Sequence, residues 1–408
     1  MTTSRSYKAG LLLLCIASVL AGCNSANTGP SGQTPVTYSI VYGCSDDALT
    51  TKSSLPPSHI TAYIASFSGS LYAFDTGNGV LRWCLHIQAH GSFSAYAKVA
   101  GLAGPPPIPV GLSTPVLAGG ILFTDSEDGY VYAFKADTGS LLWQTQSPTG
   151  IAYDIGQGPA VVNSTVYASS SNGLFALNAW NGVLRWQSLS GVMLHGTPVI
   201  AGNTVYVGAD NGKMYAVDAS TGALRWQFQT STEIQTSPVV VNGILHLVNH
   251  DGSAYALDAA TGKALWRSRT GYLITPWITS GDGRLYITAS DSFIYTLDAA
   301  TGKLLWRYQT SVGIYAPPSL NNGVLYVASS GIYSLRASDG QLLWHNILDT
   351  HLYGLTTPTI LRGIIYTTSQ GNGSLAPAAM HELRAQDGQL LFSFPIGYNG
   401  SNSAPAIA

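Results

Sequence analysis

The sequence is dominated by one recurring segment, which in its clearest copies runs over Tyr215–Trp226 and Tyr255–Trp266. Further copies end at Trp83, Trp143, Trp186, Trp306 and Trp344, and a degenerate copy ends at Phe392. A glycine stands four residues before each of these aromatic residues, and most neighbouring copies are about 40 residues apart. Eight copies at this period predict a repeat architecture in which each unit packs against its neighbours.

Within one unit the pattern predicts four short strands. Thr197–Ile200 is the first strand, and Thr204–Ala209 alternates as the second. Asp210–Gly212 is typical of a tight hairpin, after which Lys213–Ala219 and Ala223–Thr230 form the third and fourth strands. Four strands in about 40 residues are one blade of a β-propeller. The sequence therefore predicts an all-β fold, an eight-bladed β-propeller with four-stranded antiparallel blades.

The predicted propeller covers residues 58–408, and its closure can also be predicted. The first unit opens at Thr61–Ile64 without the preceding strand that the other units have. The chain ends in Asn402–Ile407, which resembles that missing strand. We expect the C-terminal strand to complete the first blade, because an open blade would expose a strand edge.

The composition excludes several other classes. Only 9% of the residues are charged, and the formal net charge is −2 without blocks of like charge. A nucleic-acid-binding surface needs clustered basic residues, so no nucleic-acid partner is expected. The 46% hydrophobic content argues against a disordered chain.

The N-terminus predicts export and a lipid anchor. Arg5 and Lys8 precede an apolar stretch, Leu11–Leu20, that is too short to span a bilayer. The stretch leads into Leu20–Cys23, which resembles the lipobox of bacterial lipoproteins. The resemblance implies that residues 1–22 are a removed signal peptide and that Cys23 carries the lipid. The alternative is an ordinary secretory peptide.

Residues 23–57 are predicted to be the lipidated cysteine and a tether. The anchor would lie in the cell membrane or the outer membrane, with the propeller on the periplasmic or extracellular side. Cys15 is lost with the signal peptide, which leaves Cys44 and Cys84 in an oxidising compartment. A disulfide between these two cysteines is predicted, the alternative being two free buried thiols.

The Ala-x-Asp-x-x-Thr-Gly-x-x-x-Trp pattern resembles the tryptophan-docking repeat of pyrroloquinoline-quinone-like (PQQ-like) eight-bladed propellers. That superfamily includes quinoprotein alcohol dehydrogenases and the propeller lipoprotein of the outer-membrane β-barrel assembly machinery. The resemblance covers about residues 58–408. It implies that each tryptophan ring lies between the alanine of its own motif and the glycine peptide of a neighbouring blade. The structural docking residues are Trp83, Trp143, Trp186, Trp226, Trp266, Trp306 and Trp344.

No residue set predicts catalysis or a resident metal. His246 and His250 are four residues apart, as are His86 and His90, but on strands this spacing spans about 13 Å, too far to share one ion. His246 occupies a column of aromatic residues and is expected to be a packed ring. The acidic segments Asp125–Gly129 and Asn249–Gly252 fall where hairpins are predicted.

One group of residues is not repeated from blade to blade. It lies where the fourth strand of each blade crosses to the next blade, near one mouth of the predicted channel. These residues can bind a small polar ligand or a peptide, or they can simply close the channel. The candidates are Asp154, His195, Gln235, Tyr272, Tyr315, Tyr353 and Asn402.

Two classes of function follow. The first is a lipid-anchored, monomeric and non-enzymatic propeller without a cofactor, which binds envelope proteins through its loops, as in outer-membrane protein assembly. The alternative is a PQQ- and calcium-dependent alcohol or sugar dehydrogenase, or a propeller that binds a small ligand. The sequence has no adjacent-cysteine pair and few basic residues near the crossovers, which favours the scaffold. The insertions at 88–110 and 370–380 are predicted partner-specific surfaces.

Overall fold

The computed structural model describes residues 37–42, 60–66, 69–90, 108–109, 111–147, 158–271, 276–348, 353–370, 378–397 and 403–408. The regular structure of these residues is β-strand, and no helix in them is long and apolar enough to cross a membrane. The strands form eight separate sheets, which confirms the predicted all-β class. Each sheet is a blade, and the four strands of a blade are called a to d in the order a-b-c-d across the sheet.

Blades 2 to 7 each contain four consecutive antiparallel strands. Blade 4 follows the prediction closely, since its observed strands begin and end within a few residues of the predicted ones. Blades 2 to 4 contain β6 (Val116–Ala118), β7 (Ile121–Asp125), β8 (Tyr130–Lys135), β9 (Leu141–Gln146), β10 (Ala160–Val162), β11 (Thr165–Ser170), β12 (Gly173–Asn178), β13 (Leu184–Ser188), β14 (Leu194–Ala201), β15 (Thr204–Ala209), β16 (Lys213–Asp218) and β17 (Leu224–Gln229).

Blades 5 to 7 repeat the arrangement. They contain β18 (Val239–Val241), β19 (Ile244–Val248), β20 (Ser253–Asp258), β21 (Ala264–Arg269), β22 (Trp277–Gly281), β23 (Arg284–Thr288), β24 (Phe293–Asp298), β25 (Leu304–Gln309), β26 (Ser319–Asn321), β27 (Val324–Ala328), β28 (Ile332–Arg336) and β29 (Leu342–Asn346). In all six blades the c–d pairing shifts register near the docking motif.

Blades 1 and 8 carry additional strands. Blade 8 contains β30 (Tyr353–Leu355), β31 (Thr359–Leu361), β32 (Ile364–Gln370), β33 (Ala378–Arg384) and β34 (Leu390–Gly397), and blade 1 contains β1 (Thr37–Tyr42), β2 (Thr61–Ala65), β3 (Ser70–Asp75), β4 (Leu81–His90), β5 (Ile108–Pro109) and β35 (Ala406–Ile407). Strand β1 pairs along the outer edge of β4, from Thr37↔His90 to Tyr42↔Leu85. The segment predicted to be a tether therefore contains a strand that belongs to the first sheet.

The eight blades close into a ring. The a strands contact one another in the cyclic order β6, β10, β14, β18, β22, β26, β31, β35 and back to β6. A separate cluster of buried apolar side chains lies between each pair of adjacent blades, including blades 8 and 1. The hydrophobic core is therefore divided into eight interfaces, as expected when units bury their faces only against neighbours.

The ring closes through the C-terminal strand, as predicted. Strand β35 pairs with β2 through Ala62↔Ile407 and Tyr63↔Ala406. The backbone of Thr61 exchanges two hydrogen bonds with Ala408, at 2.8 and 3.0 Å. The last residues of the chain thus supply strand a of blade 1, whose other strands come from the beginning of the propeller.

The tryptophan-docking arrangement is present at seven interfaces, although Thr296 and Ser334 stand in place of the expected motif alanine beside Trp306 and Trp344. Trp226 lies beside Ala216 of its own blade, and its Nε1 donates a 3.0 Å hydrogen bond to the carbonyl of Ala259 in the next blade. A Cβ added at Gly262 would lie 2.6 Å from the indole of Trp226, so only glycine allows the ring to stack on this peptide. The corresponding hydrogen bonds are made by Trp83, Trp143, Trp186, Trp266, Trp306 and Trp344.

The Asp-x-x-Thr-Gly turn holds the docking glycine in place. Oδ1 of Asp218 accepts hydrogen bonds from the backbone N–H groups of Ser220 and Thr221, each at 2.9 Å. Gly222 follows at φ +73°, a left-handed conformation that favours glycine. Arg225 donates to Oδ2 of Asp218 at 2.6 Å and lowers the pKa of this carboxyl to about 2. The motif aspartate is therefore a turn residue of the fold.

Candidate functional site

Antiparallel pairing places the connections of every blade at two opposite edges. The a–b and c–d turns, which contain the docking motifs, form one edge, here named the motif face. The b–c hairpins and the d–a crossovers form the other edge, here named the crossover face. Of the residues predicted to line the channel mouth, His195, Gln235, Tyr315 and Tyr353 are described, and they belong to the crossover face. The best-described part of this face lies around blades 4 and 5.

His195 and Gln235 meet on one carboxylate. Nε2 of His195, in β14, lies 2.8 Å from Oδ1 of Asp210, which follows β15 in the b–c hairpin. Gln235 lies on the crossover into blade 5, and its Nε2 donates a 3.1 Å hydrogen bond to the same oxygen. The His195 side chain is largely buried and that of Asp210 is about one-third exposed. The structure thus joins two of the predicted mouth residues through an aspartate that was interpreted only as part of a hairpin.

A second histidine–carboxylate pair includes Glu233, which lies on the same crossover as Gln235. Nδ1 of His250 is 3.0 Å from Oε1 of Glu233. The Nε2 of His250 is buried and has no hydrogen-bond partner among the described residues. Sequence reasoning treated His250 as a turn residue and did not single out Glu233, because nothing in the repeat pattern shows that a crossover side chain and a hairpin side chain meet.

The crossover from blade 4 to blade 5 is held to its hairpin by further polar contacts. Ser231 donates to Oδ2 of Asp251 at 2.5 Å and accepts from Nδ2 of Asn249 at 3.0 Å. The N–H of Asp251 donates to Oγ1 of Thr232 at 3.2 Å. These bonds tie the crossover that carries Glu233 to the hairpin that carries His250, so the Glu233–His250 pair is held in place from both sides.

The crossover face has an acidic character. Its described hairpins and crossovers contain no Lys or Arg, whereas Lys213 begins β16 and Arg269 ends β21 at the same edge. The hairpins of blades 2, 4, 5 and 6 each place an aspartate there, namely Asp128, Asp210, Asp251 and Asp291. Two of these carboxylates are tied to tyrosine hydroxyls, Asp128 to Tyr132 at 2.8 Å and Asp291 to Tyr295 at 2.7 Å. The face is therefore suited to a partner with positive charge.

The other predicted mouth residues are only partly described. Tyr315 lies on the crossover into blade 7 with 62% of its surface exposed, and it is far along the ring from the His195 cluster. Tyr353 begins β30. Asp154, Tyr272 and Asn402 lie outside the described residues, as does most of each predicted insertion.

The residues rejected as metal ligands occupy structural positions. His246 is 1% exposed, and its Nε2 lies 3.0 Å from the carbonyl oxygen of Ala299, so the predicted packed ring is confirmed. Its ring is 5.8 Å from that of Trp266. Among the residues that the structure describes, no three His, Cys, Asp or Glu side chains are grouped so that they could hold a metal ion.

Cys84 is nearly buried in β4 and is disulfide-bonded. Cys44 lies outside the described residues, so its pairing with Cys84 stays a prediction. The register supports it, because β1 ends at Tyr42, opposite Leu85, two residues before Cys44. Cys23 and the signal segment also lie outside the described residues.

The interface between blades 8 and 1 departs from the docking pattern. Glu382 occupies the position of the motif alanine and is only 4% exposed, and its Oε1 has no hydrogen-bond partner among the described residues. Burial, together with the nearby carboxylate of Asp75, raises the pKa of Glu382 to about 8. The ring that lies against Gly79 belongs to Phe394, not to Phe392, whose position corresponds to the docking tryptophan. We name this contact the closure interface.

These features define the class of protein: an eight-bladed, tryptophan-docked propeller with an acidic crossover face. A sequence profile of the family "Outer membrane protein assembly factor BamB" matches residues 56–191, 188–280 and 271–405. These matches cover most of the chain, which therefore belongs to the BamB family.

Individual relatives show how far the similarity extends. BamB of Moranella endobia is 32% identical over 131 residues, which are 30% of each chain. Tetrathionate hydrolase of Acidithiobacillus ferrooxidans is 29% identical over 126 residues, 24% of this chain and 25% of that protein. These matches span less than a third of each relative. The crystal structure of BamB from Moraxella catarrhalis covers 82% of this chain and 95% of its own, with 18% identity and a TM-score of 0.59, and shows the same fold.

Proposed function

We propose that this protein is a lipid-anchored propeller of the cell envelope that binds protein partners through its crossover face and takes part in outer-membrane protein assembly without catalysing a reaction. The observation that carries the proposal is the polar cluster around Asp210 and Glu233. His195, Glu233 and His250 of this cluster do not recur from blade to blade, whereas the docking residues do. A residue that recurs in every blade serves the fold. A surface that is specific to one partner needs residues that differ from one blade to the next.

The chemistry of the cluster supports binding better than catalysis. Each histidine is paired with a carboxylate, and among the residues that the structure describes no three His, Cys, Asp or Glu side chains are grouped so that they could hold a metal ion. The carboxylates are about 35–40% exposed and can contact a cationic segment of a partner. Exposed charges of this kind contribute mainly to the association rate and to specificity.

The test is binding of the purified outer-membrane assembly complex from the same organism, measured at low and moderate salt. We expect the double variant Asp210→Asn/Glu233→Gln to weaken binding about tenfold and to reduce its salt dependence. The matched control is Asp339→Asn, which removes an exposed carboxylate on the motif face, 2.9 Å from Arg336. Equal binding by the double variant and the parent chain would contradict the proposed surface.

The lipid anchor and the competing function are tested separately. Cys23→Ala should release the propeller from membranes, since the multiply acylated cysteine is the proposed anchor. The competing function, a PQQ- and calcium-dependent dehydrogenase, predicts one-to-one binding of PQQ with calcium in calorimetry and alcohol-dependent reduction of a dye. Either result for PQQ leaves the fold unchanged, but tight binding with turnover would replace the scaffold proposal.

A further inference from the structure

The c–d turn of blade 3 differs from the corresponding turns of the other blades. This turn, residues 178–185, is here named the tryptophan turn. Trp180 is 63% exposed and Val183 is 60% exposed, whereas no other large apolar side chain on the described part of the motif face is more than 52% exposed. In the other blades the position of Trp180 holds glycine, alanine, serine, aspartate or glutamine. Trp180 is therefore not part of the repeat, and the docking of blades does not require it.

Two asparagine side chains hold the tryptophan turn in shape. Oδ1 of Asn178 accepts a 2.8 Å hydrogen bond from the N–H of Trp180, and Oδ1 of Asn181 accepts one from the N–H of Val183 at 3.1 Å. The docking glycine of the same turn lies against the tryptophan of blade 2. The two exposed apolar side chains are thus presented on a fixed backbone, which reduces the entropy lost when a binding partner covers them.

The tryptophan turn also carries a positive charge that the other turns neutralise. In blades 1 and 4, the arginine before the docking tryptophan lies 2.6 Å from the motif aspartate. In blade 3, Arg185 stands at the arginine position, but Asn178 stands at the aspartate position. Arg185 donates instead to two uncharged oxygens, Oγ1 of Thr165 at 2.9 Å and the carbonyl of Ser164 at 3.1 Å. The formal charge of residues 178–185 is +1, whereas the corresponding segment of each other blade is neutral.

An exposed tryptophan beside a cation has the chemistry of a contact with a phospholipid surface. Indole rings favour the boundary between headgroups and acyl chains, because the ring is apolar and its N–H is polar. Anionic headgroups attract a guanidinium that lies at this boundary. The neighbouring turns do not repel such a surface, since the ion pairs of blades 2 and 4 leave both turns neutral.

The proposed anchor keeps the propeller close to a bilayer. Only 13 residues, 24–36, lie between Cys23 and the start of β1 at Thr37. A chain of this length spans at most about 50 Å when it is fully extended. A weak contact between the propeller and the membrane is then sufficient, because tethering makes the second contact intramolecular.

We propose that the tryptophan turn is a membrane-contact site, at which Trp180 and Val183 insert into the surface of an anionic phospholipid bilayer and Arg185 contacts the headgroup phosphates. The crossover face, at the opposite edge of the blades, stays available to protein partners. The choice of a membrane rests in part on the anchor in the proposed function, so the test uses a chain without the anchor.

The experiment measures vesicle binding by the chain from Asn24 to Ala408, which contains every described residue and lacks both the proposed signal peptide and the proposed lipid site. Vesicles of phosphatidylethanolamine and phosphatidylglycerol are compared with vesicles of phosphatidylcholine. Co-sedimentation gives the affinity, and brominated lipid quenches the fluorescence of a tryptophan that enters the bilayer. We expect quenching by anionic vesicles and about fivefold weaker binding to neutral vesicles.

Two variants assign the contact to the tryptophan turn. Trp180→Ser should weaken binding about tenfold and remove the quenching, because the indole supplies most of the inserted apolar surface. Serine is compatible with the fold at this position, since Ser220 and Ser338 hold it in blades 4 and 7. Arg185→Gln should weaken binding to anionic vesicles about fivefold and leave binding to neutral vesicles unchanged.

The matched control is Leu343→Ser, which removes an exposed apolar side chain from the motif face at the opposite side of the ring. We expect this variant to bind vesicles like the parent chain. The proposal is overturned if the parent chain does not bind anionic vesicles, if quenching persists in Trp180→Ser, or if Leu343→Ser weakens binding as much as Trp180→Ser does. None of these outcomes concerns the anchor, which Cys23→Ala tests by itself.

Discussion

Glu382 makes the closure interface sensitive to pH. In the folded chain, burial and then the charge of Asp75 raise the pKa of this carboxyl from 4.5 to about 8. The folded state therefore holds the proton more tightly than the unfolded state does. The stabilisation that comes from the neutral acid is complete below pH 4.5 and is lost as the pH rises to about 8.

The size of the effect follows from the same values. At about 1.4 kcal/mol per pH unit, the interval from 4.5 to 8 corresponds to a loss of about 5 kcal/mol. Entry of water around the carboxylate would reduce this figure, so about 5 kcal/mol is an upper limit. A change of even half this size is a large part of the 5–15 kcal/mol that typically stabilises a folded domain.

The perturbation is Glu382→Gln, which keeps the shape of the neutral acid and cannot ionise. We expect the variant to be similar in stability to the parent chain at pH 5 and more stable by about 2–5 kcal/mol at pH 9. Urea unfolding at both pH values measures the difference. Asp137→Asn is the control, because Asp137 is exposed and forms an ion pair with the exposed Lys135 at 3.1 Å.

A stability difference between Glu382→Gln and the parent chain that does not change with pH would refute this reasoning.

His381, on the other face of β33, makes the stability of the folded chain depend on pH in the acidic range. Burial lowers its pKa from 6.5 to about 4, so the stability that depends on its neutral form is present above pH 6.5 and lost as the pH falls to about 4. Its contribution can be separated by measuring Glu382→Gln above pH 7.

Three further predictions concern the ring. Gly262→Ala should lower the free energy of unfolding by about 2–4 kcal/mol, because the new methyl would lie 2.6 Å from the Trp226 ring. Gly243→Ala, at φ +77° with no atom within 4 Å, should lower it by only about 1 kcal/mol through backbone strain. Thermal unfolding compares the two variants. Deleting Ser403–Ala408 should lower the melting temperature, and an unchanged value would contradict closure by β35. Under oxidising conditions Cys84→Ser should lower the free energy of unfolding by about 2–4 kcal/mol relative to the parent chain. When the disulfide of the parent chain has been reduced, the two proteins should be equally stable.

The repeat made most of the fold predictable. The docking motif locates one turn and two strands in every blade, so blade number, strand order and the role of seven tryptophans follow from it. Closure by the C-terminal strand was also predictable, because one unit lacks a strand that the chain end can supply. Strand β1 was not predictable, since a strand outside the repeat has no register in the pattern and its sequence, Thr37–Tyr42, lies in a segment rich in Ser, Thr, Gly and Pro.

The candidate site was predictable only in part. The crossover position of His195 and Gln235 follows from the repeat, but their shared contact with Asp210 depends on how two loops fold over each other. Glu382 carried a signal that could have been used, because a glutamate stands where the other motifs have a small residue. Its burial beside Asp75 arises from contact between the two ends of the propeller, and a single-unit pattern does not contain this contact.

The central claim is that partners bind at the crossover face and not at the motif face. Two residues of nearly equal exposure allow a direct test, Tyr315 on the crossover face at 62% and Trp180 on the motif face at 63%. Each is replaced by a photo-crosslinking amino acid in cells, and the crosslinked proteins are identified by mass spectrometry. We expect crosslinks to outer-membrane assembly proteins from position 315 and none from position 180. Crosslinks to those proteins from position 180 alone would contradict it.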